Sequence, residues 1–67
     1  MRLVINGQEM TFETEIHNVD QLLNALDLQV KTVVVELNRR ILTKDIHSVT
    51  DLKNGDHLEI VHFVGGG

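Results

Sequence analysis

Arg2-Leu3-Val4-Ile5-Asn6 alternates, with Leu3 and Ile5 on one side of an extended chain and Arg2 and Val4 on the other. Asn6-Gly7 follows, the dipeptide that best fits a two-residue hairpin turn because both of its residues tolerate positive φ. A return strand over Gln8 to Glu13 then places Met10 and Phe12 on one face. After a loop from Thr14 to His17, Asn18 is suited to cap a helix, and Gln21 three residues on completes a pattern like a capping box. Val19, Leu22, Leu23 and Leu26 recur at i, i+3, i+4 and i+7, which predicts a helix over Val19 to Leu28 with Asp20, Asn24 and Asp27 turned outward. Thr32 to Leu37 is a β-branched run that reads as a central strand. Asn38-Arg39-Arg40 turns the chain into a short strand at Ile41-Leu42. Thr43 to Thr50 holds one helical turn, which Ile46, Val49 and Leu52 are expected to anchor. A turn on Asn54-Gly55 leads to a last strand over His57 to Val64.

The order is therefore β-β-α-β-β-turn-β. One amphipathic helix after a hairpin must bury its leucine stripe on one face of the sheet. The first and last strands can then lie parallel to each other. That is the α+β arrangement of the β-grasp, or ubiquitin-like, fold: a mixed sheet of four or five strands on one main helix. A chain of 67 residues makes one domain. Residues 1–64 are expected to form the β-grasp body and 65–67 a flexible glycine tail. The expected core is Leu3, Ile5, Met10, Phe12, Val19, Leu22, Leu23, Leu26, Leu28, Val33, Val35, Leu37, Ile41, Ile46, Val49, Leu52, Leu58 and Ile60.

Strand alternation sends Arg2, Val4, Val34, Glu36, Glu59, Val61 and Phe63 to the other face. A sheet covered on one side should be polar there. Val4, Val34, Val61 and Phe63 break that rule and, with Arg2 and Glu36 at the rim, are the candidate partner-binding face. It holds only if the strand register does not slip by one residue.

Composition narrows the function. Six Lys and Arg against ten Asp and Glu leave a formal charge of −4, and the aromatic residues are two phenylalanines. A nucleic-acid partner is not expected from so little positive charge and stacking surface. The longest apolar run is far short of a bilayer span, so no membrane partner is expected. No cysteine is present, so the chain has neither disulfides nor a thiol nucleophile. That composition fits a cytoplasmic protein, and no secretory leader is visible. Four histidines, His17, His47, His57 and His62, lack metal-ligand spacing and read as surface or edge residues. No phosphate-binding loop or nucleophile elbow is present. The chain is thus expected to be no enzyme, with no catalytic residue, no bound cofactor and no metal.

One group stands in an unusual setting. The last strand runs into Val64-Gly65-Gly66-Gly67. Three glycines extend about 10 Å and, lacking Cβ atoms, can thread a narrow slot. A terminal carboxylate is a poor electrophile. Joined to a nucleotide phosphate it becomes a mixed anhydride that sulfur can attack. A partner would have to bring the ATP, the Mg²⁺ and the sulfur.

Leu3-Val4-Ile5-Asn6-Gly7, Val33-Val34-Val35-Glu36-Leu37-Asn38 and the stretch from Asn54-Gly55-Asp56 to Val61-His62-Phe63-Val64-Gly65-Gly66-Gly67 resemble the ThiS family of bacterial ubiquitin-like sulfur carriers of thiamine biosynthesis. The likeness covers essentially the whole chain. It implies that a ThiF-like enzyme adenylates Gly67. Sulfur supplied through a cysteine desulfurase then makes a thiocarboxylate, and a ThiG-like thiazole synthase takes that sulfur. Gly66 and Gly67 match the family's terminal pair, preceded here by Gly65. Arg39 stands where some relatives have glycine, which questions the turn type. The free chain is expected to be a monomer. Two other functions fit the same residues: the small subunit of molybdopterin synthase, or an interaction module with no chemistry at its tail.

Overall fold

The computed structural model describes residues 1–28 and 32–63. β1 (Arg2–Ile5), β2 (Gln8–Thr11), α1 (Val19–Ala25), β3 (Val33–Leu37), β4 (Arg40–Leu42), a 3₁₀ turn (Lys44–Ile46) and β5 (His57–His62) follow one another. The strands form one mixed sheet in the order β2-β1-β5-β3-β4. β1 and β5 pair in parallel, with Val4 opposite His57 and Ile5 opposite Leu58. The other pairings are antiparallel. This is the β-grasp arrangement expected from the sequence.

Both tight hairpins work as their turn chemistry dictates. Asn6 and Gly7 have φ of 52° and 81°, and Asn38 and Arg39 have 48° and 70°. In each turn the asparagine also clips the central strand β5. Asn6 Oδ1 accepts from the Ile60 amide at 2.7 Å, and its Nδ2 donates to the Ile60 carbonyl at 3.0 Å. Asn38 Oδ1 accepts from the His57 amide at 3.0 Å, and its Nδ2 donates to Asp56 Oδ1 at 3.1 Å. Three of these four bonds satisfy backbone groups of β5, and the fourth holds the Asp56 carboxylate.

The helix starts as expected. Asn18 Oδ1 accepts from the Gln21 amide at 2.8 Å, and Gln21 Oε1 accepts from the His17 amide at 2.7 Å. The helix ends earlier than the apolar period suggests, at Ala25 rather than Leu28. Asp27 takes φ of 62°, the Leu28 amide donates to the Leu23 carbonyl, and the Asp27 amide donates to the Asn24 carbonyl. This paired arrangement is a Schellman motif, and the apolar Leu28 closes it against the core.

Asp27 and Arg39 occupy a conformation that costs a residue bearing a Cβ atom. Asp27→Gly and Arg39→Gly are each expected to raise the chemical denaturation midpoint at unchanged slope, a gain of about 0.5–1 kcal/mol. The gain should be smaller at Asp27, because aspartate tolerates positive φ better than arginine.

Leu3, Ile5, Val35, Leu58 and Ile60 from the sheet meet Val19, Leu22 and Leu23 from α1, all buried. Leu52 also joins them, as expected. Met10, Phe12, Leu26, Leu28, Val33 and Leu37 pack at the margin, partly buried.

Three expected core residues lie outside. Ile41 is 68% exposed, Val49 is 72% exposed and Ile46 is exposed too. The two-residue turn fixes Leu37 opposite Arg40, which puts Leu42 opposite inward-facing Val35 and so points Ile41 outward. Leu42 takes the core position instead. In the segment after β4, His47 turns inward in place of Ile46 and Val49. His47 is therefore no surface histidine: it is 3% exposed, and its Nε2 has no hydrogen-bond partner among the described residues. Its carbonyl accepts from the Asp20 amide at the first turn of α1, at 3.3 Å. Ile16, assigned to a loop in the sequence, is buried as well. Its position two residues before the helix cap is the signal that could have found it.

Candidate docking face and carrier terminus

The register of the sheet decides what its uncovered face presents. Val34 stands opposite Val61 and Glu36 opposite Glu59. Ile41 stands opposite Glu36 on the other side. Val4 stands opposite Glu9 on β2 and His57 on β5. The register thus has no one-residue slip, and the outer face carries the residues that alternation assigns to it. Val34, Val61 and Phe63 are 40%, 55% and 58% exposed. Arg2 and Glu59 are exposed, and Val4 and Glu36 are half-buried. Ile41 adds an apolar side chain to this face that sequence reasoning had placed in the core.

Arg2 makes an ion pair with Glu9 at 3.6 Å, both side chains more than half exposed. In that setting the pair contributes at most about 1 kcal/mol, so it orients Arg2 across the β1–β2 edge more than it stabilises the fold. A depression of about 450 Å³ opens on the outer face, lined by Val4, Glu36, Asn38, Arg39, His57 and Glu59 among others. Thr43, the Asp45 backbone amide and His47 hold the Asp45 carboxyl below the usual carboxylate range. Asp45 sits in the 3₁₀ turn, which is not part of this face.

His17, His57 and His62 are exposed, as expected. Among the described residues no three His, Cys, Asp or Glu side chains cluster as a metal site would need. No helix there is long and apolar enough to cross a membrane. Gly65, Gly66 and Gly67, the expected tail and modified residue, lie outside the described residues. So do Val64 and the upper limit of the expected 1–64 domain.

A mixed sheet packed on one main helix, with apolar residues exposed on its other face, defines a class of protein: the ubiquitin-like, β-grasp domains. Comparison with known proteins makes that specific. The model of the ThiS family matches residues 3–67, and the chain belongs to that family of sulfur carriers. It is 37% identical to the sulfur carrier protein ThiS of Bacillus subtilis over 65 residues, covering 97% of this chain and 98% of that one. Its fold matches the crystal structure of a thiamine biosynthesis protein, ThiS, from Geobacter metallireducens. That match has a TM-score of 0.84 at 39% identity, with both chains fully covered. It is also 42% identical over all 67 residues to part of a thiazole synthase of Paramagnetospirillum magneticum, of which it spans only 20%. Proteins of the ThiS family are carriers and not enzymes, which agrees with the absence of a catalytic set in the sequence.

Proposed function

We propose that this chain carries sulfur on the carboxyl carbon of Gly67 for the making of the thiazole ring of thiamine, in the cytoplasm. The observation that carries the reading is the family match, which runs through Gly65-Gly66-Gly67 to the last residue. The thiamine-related names of the relatives favour the thiazole pathway over the molybdopterin one.

In this reading a ThiF-like enzyme binds ATP and Mg²⁺ and holds the body by its outer face. The Gly67 carboxylate attacks the α-phosphorus and expels pyrophosphate, giving an acyl adenylate. A protein persulfide, charged by a cysteine desulfurase, attacks the carbonyl and expels AMP, and a thiol then reduces the acyl disulfide, leaving as a disulfide and freeing the acyl sulfur. Glycine leaves that carbonyl open on both faces, since no Cβ shields it. The resulting thiocarboxylate holds sulfur as a nucleophile without releasing sulfide. A ThiG-like thiazole synthase then accepts the sulfur.

Intact-mass spectrometry after incubation with the adenylating enzyme, ATP and a sulfur source tests this. The expected result is a gain of about 16 Da, oxygen replaced by sulfur at the acyl group. A chain that stays at its original mass while a known family member is converted in the same mixture would overturn the reading.

A further inference from the structure

We propose that Glu36 and Glu59 together form a receptor for an arginine side chain on thiazole synthase. The proposal rests on the carrier reading above and assigns a partner group to one site on the outer face.

The two carboxylates are placed by the β3–β5 register, which sets Glu36 directly opposite Glu59. The Asn38 amide donates to the His57 carbonyl and the Phe63 amide to the Thr32 carbonyl, so the odd-numbered residues of β5 bond toward β3. Glu36 and Glu59 are therefore a hydrogen-bonded pair, with Cα atoms about 5.5 Å apart. Like charges so placed work against the fold. Among the described residues neither makes an ion pair, and the recorded pair is Arg2 with Glu9. Arg39 and His57 line the same depression without closing on either carboxylate.

The surroundings fit a guanidinium. Val34 and Val61 lie one row along the sheet and Ile41 stands beside Glu36. Apolar neighbours keep water away once the face is covered, and charge-assisted hydrogen bonds then strengthen. A guanidinium is planar, has five donors and can bridge two carboxylates at once. Its methylene stem can lie along the valines.

A second copy of the chain is a poor occupant, because a two-fold contact on this patch would set four carboxylates together. Thiazole synthase is favoured because a domain 42% identical to this whole chain makes up a fifth of the Paramagnetospirillum protein of that name. There a stretch similar to this chain lies within the polypeptide that carries the synthase name.

The test is equilibrium binding of the full chain to purified thiazole synthase at low and high salt. Wild type is compared with Glu36→Gln, Glu59→Gln and the double variant. Each single change is expected to weaken binding about tenfold and the double variant more, with a flatter salt dependence. Denaturation midpoints should hold or rise, because a repulsion has been removed. Double-variant binding within about twofold of wild type overturns the proposal and leaves the carrier reading standing. So does a loss of binding matched by a loss of stability, or a loss confined to the adenylating enzyme or to self-association. Wild type that fails to bind the synthase at all overturns the carrier reading and this contact together.

Discussion

One glycine added after Gly67 is expected to slow adenylate formation by at least about 100-fold, read as pyrophosphate release with the ThiF-like enzyme. The added residue leaves a glycine carboxylate at the chain end, so the reacting group keeps its chemistry. Only its position changes, by roughly 3.3–3.6 Å along an extended chain. Positioning dominates because the enzyme must hold a weak nucleophile in line with the α-phosphorus, and misplacement by about 1 Å can already cost 100-fold. Removing Gly67 should slow the reaction in the same way, since it draws the carboxylate back by one residue. Both variants should unfold at the wild-type midpoint, because the core is built from residues 3 to 60. A lengthened chain adenylated at the wild-type rate would show that the enzyme does not measure the distance from body to tip. Gly67 would then lose its assigned role.

Asn6→Ala is expected to destabilise the fold by about 2–3 kcal/mol, measured by chemical denaturation. Two hydrogen bonds disappear, from the Ile60 amide to Oδ1 and from Nδ2 to the Ile60 carbonyl. A net value of about 1 kcal/mol each is the starting point. Ile60 is 6% exposed, so its backbone groups would be left without partners in a place water reaches poorly. Alanine must also adopt φ of 52°, where its Cβ is crowded. Stability of a 67-residue chain is roughly 3–10 kcal/mol, so the loss takes a large share. Asn6→Gly separates the two causes: it relieves the backbone while still losing both bonds. It should therefore fall between wild type and alanine. Equal midpoints for Asn6→Ala and wild type would mean the amide does not hold β5.

Much of the fold could be read in the sequence because its signals are local. Asn6-Gly7 fixed the first hairpin, and the leucine spacing from Val19 to Leu26 fixed which side of the helix is covered. Alternation in β3 and β5 placed Val34, Val61 and Glu36 on the outer face before any register was known. The misreadings share a cause. Ile41 and Leu42 are adjacent apolar residues in a three-residue strand, too short for alternation to decide between them. The turn at Asn38-Arg39 decides instead, by counting back to Val35. Ile46, Val49 and His47 sit in a 3₁₀ turn followed by irregular chain, where neither helical nor strand periodicity applies. The role of Asn6 and Asn38 as clips on β5 is a tertiary property, since each amide reaches a strand distant in sequence. Their dipeptides announce a turn and nothing more. The candidate face was legible from pattern alone, whereas the pairing of Glu36 with Glu59 needed the register.

β5 lies in the middle of the sheet, held by β1 on one side and β3 on the other. The glycine end follows it in sequence after Phe63 and Val64. Tension applied at that end is thus delivered to the most firmly gripped strand and acts along its length. A pull along β5 loads its ladders to β1 and to β3 together in shear, without peeling the bonds one by one. Force entering the body through β5 is thus spread over two neighbouring strands. A glycine end following an edge strand such as β4 would give no such mechanical protection.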